Sequence, residues 1–538
     1  MLARSLRYVT ARAIAAARAY ITVDAWWLPA PLAIPLQLAD QFLYKHNCSH
    51  NQPRRTDDAT TNADGIAGRV PGIGAGRPFY FLTEPSNAPY PCSVADVAAR
   101  LVERRGAARL VPPGSINSLA MAWIQFMVHD WLDHEPGTNV NRRAPFWDGS
   151  HIYGDSAETQ RAVRSYEGGC IHLPYESGTL NVGMADNHWF GLHVLHDLFA
   201  REHNHVARQL ARRYPEMTDA RLFRVAQLVV TAMIARIHII EWTPALFANA
   251  ATVRGQEYLL GGMWRVLTGT SAPAWLRAAR CSELTGALGG AYECVDFTHP
   301  EEFVAAYRFH AMLPDTFRVG KRTYTLTEIH DWRRICYEEC TLDECMRHLL
   351  TESPAELGLH NTPRAVVSTQ GAQGAAPREV NFAVIDVARN RERKLPRFNQ
   401  LRSYIGLRPL ASIDELVPPW SEDNAVLREL YGTVDEIDLH VGLLAEARMP
   451  RCAVGETTYA IFQVQTDKRI RCDPFFTKFY DEAYYTRAGM ELVERATMRD
   501  IIERHYPALD ATRAFCSTPK SAMRKRAYGD CSKCPRSF

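Results

Sequence analysis

The fold class that the sequence predicts is mainly α, as one large helical domain with an irregular N-terminal arm. Three observations predict it. From Ser115 onward apolar residues recur at helical spacing in one segment after another. Strand-like alternation is scarce, and no repeat or clean linker divides the 538 residues. The composition, 46% apolar and 23% charged, is that of a soluble globular chain. A net charge of +2 with no long basic patch interleaved with aromatics gives no expectation of a nucleic-acid partner.

Residues 1–43 form a basic and apolar N-terminal segment. Arg4, Arg7, Arg12 and Arg18 stand among alanines with no acid before Asp24. A mitochondrial targeting peptide, a membrane-surface helix and an ordinary surface helix all fit that pattern. Trp26 to Leu43 is apolar but broken by Pro29, Pro31 and Pro35, so a spanning helix is not expected. Residues 44–118 are rich in Pro, Gly, Asn and Arg and read as extended chain, with a helix near Val94–Arg105. Helices are predicted at Ile116–Trp131, His188–Arg213, Asp219–Phe247, Glu301–Met312, Leu342–Thr351, Asn381–Arg393, Leu427–Tyr431, Glu436–Ala447 and Thr457–Asp467. Thr369–Ala376 reads as a loop. The main domain is drawn at 44–510, followed by a polar tail at 511–538 that carries a lone Cys531/Cys534 pair. Thirteen cysteines and no secretory h-region point to free thiols and an intracellular setting.

Two helices carry candidate chemistry. Tyr307 and His310 are three apart on a predicted helix that stops at Pro314, so they share a face. A His facing a cavity can hold a haem iron from below, and a Tyr one turn away can lose an electron to it. Gln125 and His129 are four apart on another predicted helix, a pairing suited to moving a proton on a bound peroxide. Asp130 is turned by about 100° from His129, so it looks elsewhere and can bind a hard cation, with Phe146–Ser150 offering a carbonyl, a carboxylate and a hydroxyl. Each residue alone has an ordinary structural explanation in a chain with 19 His. Their combination is what points to a site.

The segments Trp123–Trp131, Trp147–Ser150 with Ile152–Gly154, Glu202–Asn204, Ile237–Thr243 and Tyr307–Asp315 resemble the animal-type haem peroxidase and cyclooxygenase superfamily. Within it the match is closest to the fatty-acid alpha-dioxygenases. The likeness spans roughly residues 25–510 and is weak at 44–90 and 318–380. It implies a single haem-peroxidase-like domain that binds haem b. It also implies His310 as proximal ligand, His129 as distal His beside Gln125, and Tyr307 as the radical residue. Asn361 falls where the proximal His N–H is accepted, and Arg389 and Arg391 fall where basic residues meet the haem. A substrate carboxylate is expected at His238, Thr243 and Arg469, where charge-assisted donors near Tyr307 would present C2. Because His238 and Thr243 are about 140° apart on an ideal helix, Pro244 is expected to break helical geometry at Thr243.

The implied reaction is oxygenation of a fatty acid at C2 by a tyrosyl radical and O2, with a hydroperoxide as activator. The 2-hydroperoxy product can lose CO2 to give an aldehyde one carbon shorter. The alternatives are a peroxidase using H2O2 with small donors, a mid-chain fatty-acid dioxygenase, and an inactive haem- or lipid-binding scaffold. Calcium is implied at Asp130, the carbonyls of Ala144 and Phe146, Asp148 and Ser150. Ala144 departs from the family's Thr and leaves the set short of one hydroxyl. Cys472-Asp473-Pro474 carries Pro where the superfamily has Arg, and no distal Arg is matched at Asp186–Asn187. Peripheral membrane association and a mitochondrial address both remain compatible with the N-terminal segment.

Overall fold

The computed structural model describes residues 76–516 apart from short internal stretches, of which 291–296 and 369–377 are the longest. The N-terminal segment 1–43, the Thr369–Ala376 loop and the Cys531/Cys534 tail lie outside the described residues.

The helices that frame the site are α1 (Ser118–Trp131), α2 (Phe190–Arg213), α3 (Asp219–Ile237), α4 (Glu301–Ala306), α5 (Leu342–Thr351), α6 (Phe382–Glu392), α7 (Leu439–Ala445), α8 (Glu456–Arg471) and α9 (Glu482–Arg495). Their burial explains their positions. Nearly every residue of α1 is buried, including Trp123, Phe126 and Trp131, so it runs through the middle of the apolar core rather than over its surface. Asn117 caps it, accepting from the Ala120 N–H at 3.1 Å and donating to the carbonyls of Leu350 and Ala514. The packed chain therefore runs past residue 510, and 511–516 fold back onto the start of α1. α3 lies between α2 and α9. The stretch Asp219–Leu246 is apolar enough to cross a membrane, yet 89% of its most apolar window is buried in the domain, as a core helix would be. Among the described residues the strands pair only as two-stranded sheets, such as Thr316–Val319 with Arg322–Thr325.

Two predicted helices differ from expectation. Glu301–Met312 is not continuous. α4 ends at Ala306, Tyr307 sits at φ −86°, ψ 2°, and a 3-10 turn spans His310–Met312. Tertiary bonds outbid local propensity there, because Arg308 donates to Asn390 Oδ1 at 2.6 Å and to the Asp386 carbonyl at 3.1 Å. Asp219–Phe247 contains a π turn at His238–Trp242, followed by a short helix at Thr243–Leu246. Thr243 itself is helical at φ −60°, ψ −47°, so Pro244 does not act by breaking it.

Candidate active site

The distal side is built on α1. Gln125 accepts from the Trp189 indole N–H at 2.7 Å and donates to the Asn187 carbonyl at 3.1 Å. These partners fix which way the amide faces. Its Nε2 then lies 3.4 Å from His129 Nε2, which must be the unprotonated nitrogen. Burial holds His129 well below the ordinary imidazole range, reinforced by Arg143, His151 and His188. The geometry thus presents a neutral base with its Nε2 lone pair toward Gln125. Arg143 is a cation near the distal His that sequence reasoning missed. It is buried and held by Asp155 at 2.8 Å.

The proximal side is built where α4 breaks. His310 Nδ1 lies 2.8 Å from Asp386 Oδ2, and its ring stacks on Phe382 at 4.0 Å. The His310 side chain stays 31% exposed among buried neighbours, with Nδ1 anchored and Nε2 aimed elsewhere. Asp386 is ionised. Burial raises its pKa, but His310 and, more weakly, His440 and Arg308 outweigh that and hold it below the usual carboxylate value. Asn361 is therefore not the partner of His310. Its amide is tied to the Arg109 N–H at 3.0 Å, the Arg109 carbonyl at 3.1 Å and the Glu356 carbonyl at 2.6 Å. Arg391 is also committed elsewhere, to both oxygens of Asp438 at 3.0 and 2.7 Å and over the Tyr90 ring. Arg389, exposed on the same helix, is the one of the two arginines left for an anion. Asp386 had a signal in the sequence, as a lone acid inside the apolar run Val384 to Ala388.

Tyr307 is enclosed by aromatic rings. Phe462 stacks on it at 5.0 Å and 11°, and Trp131 meets it edge-on at 5.8 Å. Its hydroxyl is buried with no hydrogen-bond partner, and burial pushes its pKa far up. Arg469 borders the same Trp131, with Cζ 3.3 Å from the ring centroid and 4.5 Å from that of Trp147. It is buried, its Nε and Nη1 have no partner, and desolvation lowers its pKa to about 9. Asp130 and Asp473 act on it only through space, and a buried guanidinium with two donors unmet is costly, so this is an arrangement that gains by receiving an anion.

His238 and Thr243 are brought together by the π turn. Its bonds run five residues rather than four, which places residue 243 over residue 238. His238 Nδ1 accepts from the Trp123 indole at 3.1 Å, and burial together with Arg469 keeps the imidazole neutral. The proton is therefore on Nε2, as a donor for a ligand. The Thr243 hydroxyl already donates to the His238 carbonyl at 2.8 Å, so in this structure it is not a carboxylate donor. Its role is to close the turn.

In the expected cation loop, Ala144, Phe146, Asp148 and Ser150 are all buried. Gly149 sits at φ 69°, and a Cβ there would come 3.0 Å from Thr231 Oγ1, so glycine spares the bend both backbone strain and a tight contact. Asp148 Oδ1 accepts from the Ser150 N–H at 2.8 Å, and Ser150 Oγ is buried without a partner. Asp130 Oδ1 lies 2.8 Å from His151 Nδ1.

Residues 133–515 match the model of the animal haem peroxidase family. The chain belongs to that family. Within it, the chain is 30% identical over 493 residues to alpha-dioxygenase 2 of Arabidopsis thaliana, covering 78% of this chain and 76% of that one. It is 30% identical over 469 residues to alpha-dioxygenase 1 of Capsicum annuum, covering 73% and 71%. This animal haem peroxidase is therefore an alpha-dioxygenase relative. Its fold matches that of Oryza sativa fatty acid alpha-dioxygenase with palmitic acid, at a TM-score of 0.81 and 24% identity over 94% of both chains. Family membership implies haem. His310, anchored through Nδ1 with its side chain 31% exposed, is the residue that would hold the iron, and the buried His129 is the one that would move a proton beside it.

Proposed function

We propose that this protein oxygenates fatty acids at C2, using O2 and a radical on Tyr307, to give 2-hydroperoxy fatty acids. The observation that carries the proposal is the pairing of buried polar atoms without hydrogen-bond partners around one indole: the Tyr307 hydroxyl, and Nε and Nη1 of Arg469. A carboxylate paired with Arg469 and with His238 Nε2–H puts its own neighbouring carbon, not a mid-chain one, within reach of Tyr307.

Haem held by His310 would, after activation by a hydroperoxide, supply the acceptor for one electron and one proton from Tyr307. The protein does the rest. His129 Nε2 takes the hydroperoxide proton, with Gln125 holding the approach. Asp386 orients His310 and raises its basicity. The Tyr307 oxygen, bonded to nothing else, removes one hydrogen atom from C2, and O2 adds to the carbon radical. The resulting peroxyl group takes a hydrogen atom back from Tyr307, which restores the tyrosyl radical. The aromatic rings around Tyr307 keep water from the radical.

We assign calcium to Asp130, Asp148, Ser150 and the carbonyls of Ala144 and Phe146. The unpartnered Ser150 hydroxyl in a buried loop of oxygens supports this. Stoichiometric calcium by mass spectrometry, reduced in Ser150→Ala, is the expected result, and a metal-free protein with an intact Soret band contradicts it. Residues 1–43 we assign to membrane-surface or mitochondrial targeting, tested by liposome association and localisation of a chain truncated at 44. The experiment that decides the main proposal is oxygen uptake on palmitate with product analysis. Oxygen uptake and a C2 hydroperoxide are expected, and both are lost in Tyr307→Phe. A Tyr307→Phe protein that still consumes oxygen, or a mid-chain product, refutes it.

A further inference from the structure

The histidines behind the distal pocket take no part in that mechanism. His188, just before α2, and His193 and His196, in its first two turns, are buried. His188 Nε2 lies 3.0 Å from His193 Nδ1, and His193 Nε2 lies 2.7 Å from the Tyr337 hydroxyl. Tyr337 is 39% exposed and sits on a π turn at Arg334–Glu339. Around it, Trp332 stacks on His193 at 4.3 Å, and Tyr175 meets the Tyr337 ring at 4.9 Å and the Trp332 ring at 5.4 Å. Toward the interior, His188 is the chain neighbour of Trp189, whose indole donates to Gln125. An unbroken run of covalent and hydrogen bonds therefore joins Gln125, beside His129, to a tyrosine at the surface.

We propose that Tyr337, backed by His193, is a second redox-active tyrosine, at which small phenolic one-electron donors reduce the oxidised protein. The proposal rests on the function given above, because its oxidant is the hydroperoxide-oxidised haem centre. Oxidising a phenol to a neutral radical releases a proton that needs an acceptor. Tyr337 has one in hydrogen-bond contact, His193. One electron leaves Tyr337 inward along the run. The Tyr337 O–H bond breaks and an N–H bond forms at His193 Nε2, with the charge shared through Nδ1–H to His188. A phenol docked on the exposed face of Tyr337, Trp332 and Tyr175 then gives up one electron and one proton. The electron goes to Tyr337, the proton held at His193 Nε2 returns to the Tyr337 oxygen, the donor's own proton goes to solvent, and the donor leaves as a phenoxyl radical. Flat aromatic donors suit this face because it is itself made of ring edges and faces, with Arg333 over Tyr175 and Trp332.

The test uses the full-length haem-loaded protein mixed with tert-butyl hydroperoxide, freeze-quenched and read by electron paramagnetic resonance. In Tyr307→Phe a tyrosyl signal is expected to persist, and guaiacol is expected to quench it. In Tyr307→Phe/Tyr337→Phe the signal is expected to be lost. Each change removes one hydroxyl, so the Soret band and its response to hydroperoxide serve as the folding control. A Tyr307→Phe protein with a responsive Soret band and no tyrosyl signal overturns the proposal alone, as does a double variant with an undiminished signal. A wild-type Soret band that does not respond to hydroperoxide overturns both this proposal and the function on which it rests.

Discussion

Replacing Asp386 with Asn keeps the shape of the side chain beside His310 and removes its charge. The two groups are 2.8 Å apart, and Asp386 is fully buried, so water screens the pair little. A hydrogen bond to a charged group contributes about 1.5–3 kcal/mol and a neutral one about 0.5–1.5 kcal/mol, so the substitution removes on the order of 1–1.5 kcal/mol. A carboxylate partner makes the imidazole a stronger donor to iron and favours the ferric state. If the loss is expressed fully between ferric and ferrous forms, at 59 mV per tenfold for one electron, the Asn variant has a midpoint potential higher by about 45–65 mV. Arg308 and His440 also face Asp386 and reduce the field it exerts at His310, so the lower end is expected. Spectroelectrochemical titration of the haem-loaded variants measures the shift. Asn361→Ala is the control and should leave the potential unmoved, because the Asn361 side-chain amide bonds only the backbone of Arg109 and Glu356. If Asn361→Ala moves the potential and Asp386→Asn does not, the assignment of the proximal partner is wrong.

The other predictions concern the clamp, the distal amide and a remote ion pair. Arg469→Met should raise KM for palmitate by roughly 10- to 100-fold, the loss of a charge-assisted bond, and Arg469→Lys should recover only part of it. Thr243→Val should change that KM by less than about threefold, since the hydroxyl is already spent on the His238 carbonyl, while lowering Tm slightly as the π turn loosens. Trp189→Phe frees the Gln125 amide to rotate and should slow the Soret response to hydroperoxide about fivefold, for roughly 1 kcal/mol lost. Burial raises the pKa of Glu202, but His505 and Arg504 outweigh it and hold the group below 4.5. A depressed carboxylate stabilises the fold fully above its unfolded pKa and loses that contribution as pH falls through the folded one. Glu202→Gln should therefore lower Tm near neutrality and flatten its fall below about pH 4.5, as followed by circular dichroism.

What the sequence made legible depended on how local the cause was. Gln125 and His129 lie on a straight, capped helix, so their spacing alone predicted that they meet. Tyr307 and His310 were legible as residues but not as a geometry. Ala306-Tyr307-Arg308-Phe309 contains no Gly or Pro to signal a break, and the cause is Arg308 reaching α6, far along the chain. The π turn at His238–Trp242 has no compositional signature either, yet it is what reconciles two residues that an ideal helix would hold apart. Asn361 and Asp386 show the same limit. Both are buried polar residues, and only the tertiary packing decides which one His310 meets.

The two tyrosines singled out differ in the one respect that governs what a radical does. Tyr307 is dry, ringed by Phe462, Trp131 and Trp242, and its oxygen touches no base. A radical there has no bound proton waiting to return, so its readiest way back to a phenol is to take a hydrogen atom from whatever carbon is presented, and under the proposed function Arg469 would set which carbon that is. Tyr337 is half-exposed with His193 at its hydroxyl, so its radical is met by a proton on one side and by solvent-borne donors on the other. Such a site favours reduction by electron and proton together over hydrogen abstraction from an alkyl chain. Placing the two on opposite routes from the distal and proximal faces separates oxygenation from the discharge of unused oxidising equivalents. The separation is chemical, because it rests on whether a base touches the phenol and not on how far either ring lies from the surface.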